Sequence, residues 1–352
     1  MHAWLEIDLG DVARNARELA LRVAPAALCA VVKSNAYGHG LVPVSRAISS
    51  AGIPGLRFAV FSASEGLALR DAGISEPVLV VGPVADDELK AGSDARLEYA
   101  VLCEEDVGRF PVGTRVHIKV DSGVARFGVH IGRAARVIEA CHQSGLQVAG
   151  IYSHLANAED LDEAFTLAQL ARLRSVAHQG IMTHIAASAA AIMWPSTRLD
   201  MVRCGIALYG RWPSPAVRSA AASSGFTLLP ALRWFAPVVQ TRDVAAGDPV
   251  GYGCEFVPQR PSTIAVLPLG YADGLPRAAA GGGLHVMIRG TRVPVVGRIC
   301  MNACMADVTD AVPMVVRGDV AQISVDEVAR AAGTIDYEIL ARLPASLERR
   351  YP

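Results

Sequence analysis

The strongest constraint on the fold is a rhythm. Apolar, strand-like runs recur at Ala27–Val32, Phe58–Phe61, Val78–Val81, Tyr99–Leu102, Val116–Val120, Val148–Tyr152, His184–Ala187 and Met201–Leu208. Helical patterns lie between most of them. The clearest spans Asp162–Gln179, with Leu170, Leu173 and Ala177 at helical spacing and Gly180 as its stop. A shorter one, Ser64–Ala72, is closed by Gly73. Runs that are apolar throughout belong to strands buried on both faces. Such strands, alternating with helices over about two hundred residues, predict a parallel (β/α)8 barrel of the TIM type. A doubly wound open sheet is the competing arrangement. It would normally carry a Gly-x-Gly-x-x-Gly turn after an early strand, and none is found there.

The rhythm stops near Arg211-Trp212-Pro213-Ser214-Pro215. The segment to about Ser224 is rich in alanine, serine and proline and reads as a linker. Beyond it, short β-type runs recur at Pro237–Thr241, Thr263–Leu267, Leu284–Arg289 and Val293–Val296, with Gly, Pro and Asp breaks. One helical stretch, Val325–Ala332, ends at Gly333. The expected organisation is a barrel over residues 1–222 and a smaller, mostly β domain over residues 223–352. Residues 2–9 alternate like a short strand, and residues 1–9 can pair with the second domain. Asp11 is expected to cap a helix running through Val12, Leu19 and Val23 to Pro25.

Composition excludes several function classes. With 52% hydrophobic and 19% charged residues, a sizeable core is available. A net charge of −1 favours neither nucleic acid nor an anionic membrane. No apolar run is long enough to span a bilayer, and the N-terminus lacks the basic start and apolar core of a signal peptide. The seven cysteines are an odd number, scattered through a chain too large to need disulfide staples. They read as reduced thiols of a cytoplasmic protein. Cys300 and Cys304 are the closest pair, and no second pair or nearby histidine completes a ligand set, so no metal site is expected.

One stretch points to chemistry. In Ala30-Val31-Val32-Lys33-Ser34-Asn35-Ala36-Tyr37-Gly38-His39-Gly40 an apolar run ends in a lysine and a polar, glycine-punctuated loop follows. The chain uses only three lysines, Lys33, Lys90 and Lys119, against thirty arginines. A lysine kept at the end of a buried strand suggests work that guanidinium cannot do, because a primary amine can lose its proton and form a Schiff base. The plain explanation is a buried lysine paired with a carboxylate. Arg126, His154, Ser188 and Arg203 follow or lie in later strands, which puts them at the same rim of a barrel. Each alone has a structural explanation: Ser188 as a helix cap, His154 as a core histidine, Arg203 as an ion-pair partner. Their shared placement argues for a common purpose.

The motif around Lys33, Val-Val-Lys-Ser-Asn-Ala-Tyr-Gly-His-Gly, resembles the pyridoxal-phosphate attachment motif of the alanine racemase family. Further segments resemble that family in its own order. They are Ser153-His154-Leu-Ala-Asn-Ala-Glu, His184-Ile-Ala-Ala-Ser188, Arg203-Cys-Gly-Ile-Ala-Leu-Tyr-Gly210, Gly251-Tyr252-Gly253, Gly270-Tyr-Ala-Asp-Gly274, Gly297-Arg-Ile-Cys-Met301 and Asp336-Tyr337-Glu338. The resemblance covers nearly the whole chain and implies a barrel followed by a β domain, with pyridoxal 5'-phosphate as cofactor. Lys33 would hold the cofactor covalently. Tyr37, Ser188, the backbone at Gly205 and Ile206, and Tyr337 would bind its phosphate. Arg203 would face the pyridine nitrogen, with His154 orienting it. Arg126 would contact the cofactor's phenolic oxygen and the substrate carboxylate. Lys119 would be either carbamylated, as the family allows, or neutral or ion-paired, with Asp121 as a candidate partner.

Racemisation needs proton exchange at Cα from both faces of a planar intermediate, and one base cannot easily reach both. Lys33 would serve one face and Tyr252 the other. In the family the matching tyrosine reaches the partner subunit's site, and Met301 would line that site too, which implies a homodimer with shared sites. The plain reading of Tyr252 is a strand-edge aromatic. The chain departs from the family at Asn302 and Glu159, where aspartate is usual, and at Ala187, where asparagine is usual. These departures leave open whether the substrate is alanine, serine or another small amino acid. A decarboxylase of the same fold and a non-catalytic cofactor-binding homologue compete with the racemase. The decarboxylase's Gly-rich phosphate loop and C-terminal cysteine motif are not found here.

Overall fold

The structure is a computed structural model that describes residues 2–352. The chain divides into two compact units, one formed by Leu9–Pro230 and the other by the N-terminal segment through Asp8 together with Ala231–Pro352. The first strand, β1 (Trp4–Ile7), belongs to the second unit.

In the first unit, β2 (Ala27–Val31), β3 (Arg57–Val60), β4 (Val78–Val80), β5 (Leu97–Val101) and β6 (Arg115–Asp121) are followed by a two-residue strand, β7 (Val129–His130), and by β8 (Gln147–Tyr152), β9 (Met182–Ala187) and β10 (Met201–Cys204). The ring order is β5-β4-β3-β2-β10-β9-β8-β6, and parallel pairing of β5 with β6 closes it, while β7 adds to β6. The expected parallel barrel is therefore present. Side chains alternate across each strand. Leu28, Ala30, Phe58, Val60, Val78 and Val80 are buried on one face, while Cys29, Ala59, Leu79 and Met201 form a cluster on the other. The other side of the barrel interior is polar: Glu98, His117, His184 and Arg203 are all buried. Gly150 makes room there, since a Cβ on it would fall 2.1 Å from His117 Nδ1.

Several boundaries differ from the sequence expectation. The first helix runs Leu9–Val23, so Asp11 lies inside its first turn, where a carboxylate still favours the positive end of the helix dipole. The helix expected over Asp162–Gln179 is Ala164–Arg174, because the Asp162 carboxylate takes the Ala164 N–H and holds the preceding residues in a turn. Strand β10 stops at Cys204 and a 3₁₀ turn, Ile206–Tyr209, follows. All four turn residues are buried, so the apolar run continues while the geometry changes. The segment read as a linker carries a helix, Pro215–Ala222, started by Pro215 at its first position and by Ser214 accepting the Val217 N–H.

The second unit is a curled sheet with order β12-β13-β16-β15-β14-β17-β11-β1-β18. Its other strands are β11 (Leu232–Pro237), β12 (Gln240–Val244), β13 (Ser262–Leu267), β14 (His285–Ile288), β15 (Thr291–Val296), β16 (Cys304–Asp307), β17 (Val320–Ile323) and β18 (Glu348–Arg350). The run expected over Pro237–Thr241 is the end of one strand and the start of the next, broken where the Val238 N–H turns to the Asp319 carbonyl. β1 lies between β11, antiparallel, and β18, parallel. The helix Val325–Ala332 forms as expected, with Ser324 as its cap and Gly333 in the left-handed conformation as its stop. Among the described residues, no helix is long and apolar enough to cross a membrane, and no group of three or more His, Cys, Asp or Glu side chains could hold a metal.

Candidate active site

The barrel brings Lys33, Tyr37, Arg126, His154, Ser188, Arg203 and Gly205 to the C-terminal ends of its strands, where β-barrel enzymes of this type keep their chemistry. Strand β2 ends at Val31, so Lys33 begins the following turn instead of ending the strand. That turn is unusual. Ser34, Asn35, Ala36 and Tyr37 all have positive φ, between 52 and 56°. A left-handed helix costs L-residues about 1–2 kcal/mol each, so something must hold it. The Glu65 carboxylate does: Oε1 accepts the N–H groups of Ser34 (2.6 Å) and Asn35 (3.3 Å). Its Oε2 accepts Phe61 N–H (2.9 Å) and Ser62 N–H (3.4 Å), completing a capping box at the start of the helix Ala63–Asp71. One side chain thus caps a helix and clamps the lysine-bearing turn. Asn35 adds a bond from Leu41 N–H to its Oδ1 at 2.8 Å.

Burial is the main cause that lowers the Lys33 pKa, and the charge of Arg126 adds to it, while Glu65 opposes. The Lys33 ammonium lies 5.8 Å from the centre of the Phe61 ring. Arg126 is exposed on the loop after β6. The Asp121 carboxylate shapes that loop by accepting the N–H groups of Gly123, Val124 and Ala125.

A second group of atoms forms a cradle. Ser188, the first residue of the helix Ser188–Met193, accepts through Oγ the N–H groups of Gly205 (3.0 Å) and Ala207 (3.5 Å), which leaves its own proton free to be donated. A Cβ at Gly205 would fall 2.4 Å from the Tyr37 hydroxyl, so only glycine lets that hydroxyl approach. Burial, with a smaller effect of Cys204, pushes the Tyr37 phenol up to about 12, so it remains a donor. The Tyr37 ring lies 5.0 Å from that of Tyr209, whose own hydroxyl donates to the Val31 carbonyl at 3.0 Å. Two hydroxyl donors and the backbone at a turn suit an oxyanion such as phosphate.

Arg203, at the top of β10, is buried and multiply held. Nη2 donates to the carbonyls of Ser153 (2.7 Å) and Ile185 (3.2 Å), and Nη1 to Nδ1 of His184 (2.6 Å). His154 lies at 3.5 Å, the outer limit of a hydrogen bond. Burial first, then the charges of Arg203, Lys119, Arg126 and Lys33, lower the His154 pKa to about 3, so its imidazole is neutral. The tighter imidazole contact is His184, to which sequence alone assigns no role beyond its place in a motif. Tyr152 is another residue that sequence reasoning misses. The Tyr152 ring stacks on His184 (4.8 Å, 3°) and faces both Lys119 Nζ (4.8 Å) and Arg203 (5.0 Å), an electron-rich surface between two cations.

On the second unit, Tyr252 is 71% exposed and is flanked by Gly251 (φ 78°), Gly253 (φ 75°) and Cys254 (φ 52°). Arg298 lies under that turn: a Cβ on Gly253 would meet its guanidinium at 2.7 Å, and Arg298 pairs with Glu255 at 2.5 Å. Met301, 56% exposed, sits with exposed Asn302 at the tip between β15 and β16, where Tyr271 and Ala272 N–H groups bond to the Cys300 and Met301 carbonyls. Tyr337 is half-buried in the first turn of the helix Asp336–Ala341. Ala187 immediately precedes the helix at Ser188, and Glu159 is exposed on the loop after β8.

Residues 7–213 match the profile of the alanine racemase N-terminal domain, and residues 231–351 that of its C-terminal domain. The chain belongs to the alanine racemase family. It is 38% identical to an alanine racemase of Desulforamulus reducens, covering 99% of this chain and 98% of that one. An alanine racemase of Methanococcus maripaludis is 37% identical over 99% of this chain and 98% of its own. The solved alanine racemase of Clostridium difficile 630 superposes with a TM-score of 0.92 at 28% identity, covering 100% of this chain and 96% of that one. The fold seen here, a parallel barrel followed by a curled β domain, is thus the fold of solved alanine racemases.

Proposed function

We propose that this chain interconverts L- and D-alanine with pyridoxal 5'-phosphate held at Lys33. The observation that carries the proposal is the pairing of a lysine whose pKa is lowered with a donor cradle at one barrel rim. In this reading Lys33 provides the amine, while Tyr37, Ser188 and the Ile206 N–H hold the phosphate; the Gly205 N–H, also expected there, is held by Ser188 Oγ and serves to orient that hydroxyl. Tyr337 is assigned to the phosphate on the family likeness of its motif alone. When bound, the cofactor withdraws electrons from Cα and so acidifies its proton. Arg203, always charged, would face the ring nitrogen as a donor and leave it unprotonated, which would limit that withdrawal. Arg126 binds the substrate carboxylate. Lys33 then takes or returns the proton on one face, and Tyr252 of a second copy does so on the other.

The exposure of Tyr252 and Met301 supports a homodimer with shared sites. The free cysteines support a reducing cytoplasm. Purified, cofactor-loaded protein incubated with a panel of L-amino acids should lose optical rotation fastest with alanine. A panel in which serine or another amino acid is turned over faster would move the substrate assignment, and no turnover at all would remove the enzyme reading.

Asn302 should tune selectivity. An amide here replaces the family's usual carboxylate, removing a charge and adding a donor at nearly constant volume. The pocket should then tolerate a polar side chain such as serine's. Asn302→Asp should shift relative kcat/KM toward alanine by about tenfold, with the cofactor spectrum unchanged. An unchanged alanine-to-serine ratio in folded, loaded protein would show that Asn302 does not reach the substrate.

Lys119 should be carbamylated. It is buried, and burial first, then the charges of Arg203 and Arg126, lower its pKa to about 7. Asp121 is occupied by backbone N–H groups. The neutral amine can attack carbon dioxide, releasing a proton and leaving an anion among cations. Only the neutral amine reacts, so formation should rise as pH climbs through about 7. With ¹³C-bicarbonate, a carbamate signal is expected in wild-type protein and not in Lys119→Met. Its absence from wild type would favour a plain neutral lysine.

A further inference from the structure

Arg203 is a buried cation with no carboxylate in ion-pair distance among the described residues; its partners are carbonyls and imidazoles. A continuous chain of hydrogen bonds nevertheless leads from it to an anion. Arg203 Nη1 meets His184 Nδ1 at 2.6 Å, His184 Nε2 meets His117 Nδ1 at 2.9 Å, and His117 Nε2 meets Glu98 Oε2 at 3.0 Å. All four side chains are buried. Glu98 lies on β5 at the level of the barrel's first strand residues, where Arg57 and Arg115 also bind its carboxylate. TIM-type barrels normally fill this interior with branched apolar side chains. Here Gly150 gives up its side chain so that His117 fits.

The donors and acceptors can be ordered in only one way. Guanidinium only donates, so His184 must accept at Nδ1 and carry its proton on Nε2. That N–H must find an acceptor, which makes His117 accept at Nδ1 and donate from Nε2. The chain therefore has to end on a group that accepts, and an ionised carboxylate only accepts. Burial would raise the Glu98 carboxyl, but the hydrogen bonds from His117 and Arg115 and the charge of Arg57 outweigh it and keep the group ionised. Burial keeps both imidazoles neutral, as the ordering requires.

We infer that Glu98 is the remote counter-charge of Arg203, delivered across the barrel through two neutral imidazoles of fixed tautomer, and is a positioning residue for the site. Hydrogen-bonded chains of this kind polarise one another in a low-dielectric interior. The arrangement offsets the arginine's charge without placing a carboxylate beside the ring nitrogen it faces. The inference rests on the proposed function only for that last orientation.

Two measurements test it. Nitrogen-15 spectra of wild-type protein labelled at histidine should assign His117 and His184 as neutral, protonated at Nε2. An imidazolium, or protonation at Nδ1 in either, would overturn the relay. This experiment needs no turnover, so it stands apart from the racemase assignment. Glu98→Gln keeps an acceptor for His117 and Arg57 while removing the charge. In folded, cofactor-loaded protein it should shift the bound cofactor's absorption maximum and lower kcat/KM by about tenfold. Lys90→Gln, which removes an exposed cation paired only with Asp94, should change neither. An unmoved spectrum and unchanged kcat/KM in Glu98→Gln would overturn the counter-charge role even where the tautomers hold.

Discussion

Replacing Lys33 by alanine is expected to abolish racemisation and covalent cofactor attachment together. Loss of the proton-transfer role alone should cost about 10²–10⁴-fold in rate. Tyr252→Phe should fall in the same range, because the second face of Cα would have no base. The two proteins should differ in one respect: only Tyr252→Phe should still attach the cofactor, since its lysine is intact. Mixing them tests the shared site. At equal amounts with free exchange, half of all C2 dimers are hybrids, and each hybrid has one site with both residues, so recovery should approach about a quarter of wild-type activity. No recovery after subunit exchange has been demonstrated would place Tyr252 in its own subunit's chemistry or in none. Labelling by borohydride should mark the Lys33 peptide; a labelled Lys90 or Lys119 peptide would refute the attachment site.

Removing the Glu65 carboxylate should have the next largest effect, though Glu65 touches no substrate in this proposal. Four consecutive left-handed residues at about 1–2 kcal/mol each store several kcal/mol of backbone strain. The bonds from Ser34 and Asn35 to Glu65 offset part of it and fix where Lys33 emerges. Glu65→Ala also loses the helix cap, worth about 1 kcal/mol. A total destabilisation of about 2–3 kcal/mol is expected for a buried-edge carboxylate with bonds to four N–H groups. Misplacing the amine by as little as about 1 Å should lower kcat by about 10²-fold. Glu65→Gln should recover stability more than activity, since an amide can accept for the cap or for the turn but not fully for both. Denaturant midpoints and kcat measured on the same variants separate the two functions. A folded Glu65→Ala protein with wild-type kcat would show that the turn, with its Asn35 bond, holds without the carboxylate.

Much of the barrel was legible because a parallel sheet covered by helices makes each strand a continuous apolar run, and such runs are separable by eye. The same property hid the end of β10: Ile206–Tyr209 is as buried as a strand but turns as a 3₁₀ helix. The helix Pro215–Ala222 was hidden differently, since proline and serine mark both linkers and helix starts. At the site, Lys33 could be singled out because lysine is scarce in this chain and stands at the end of an apolar run. Tyr252 could be found only through its glycine-flanked motif, as an exposed tyrosine carries no signal of its own.

Local sequence thus determined the strand rhythm, the lysine just beyond the first barrel strand and the family motifs, because each depends on neighbouring residues along the chain. Tertiary structure alone decided the rest. Glu65 lies 31 residues from Ser34. His184 lies 67 residues from His117, and His117 lies 19 from Glu98. A glutamate that caps a helix and one that also clamps a strained turn look the same in sequence. A histidine whose tautomer is set by an arginine on a neighbouring strand looks like any core histidine. Hydrogen-bond direction is a property of groups facing one another across the barrel, and only closure of the strands into a ring brings those groups face to face.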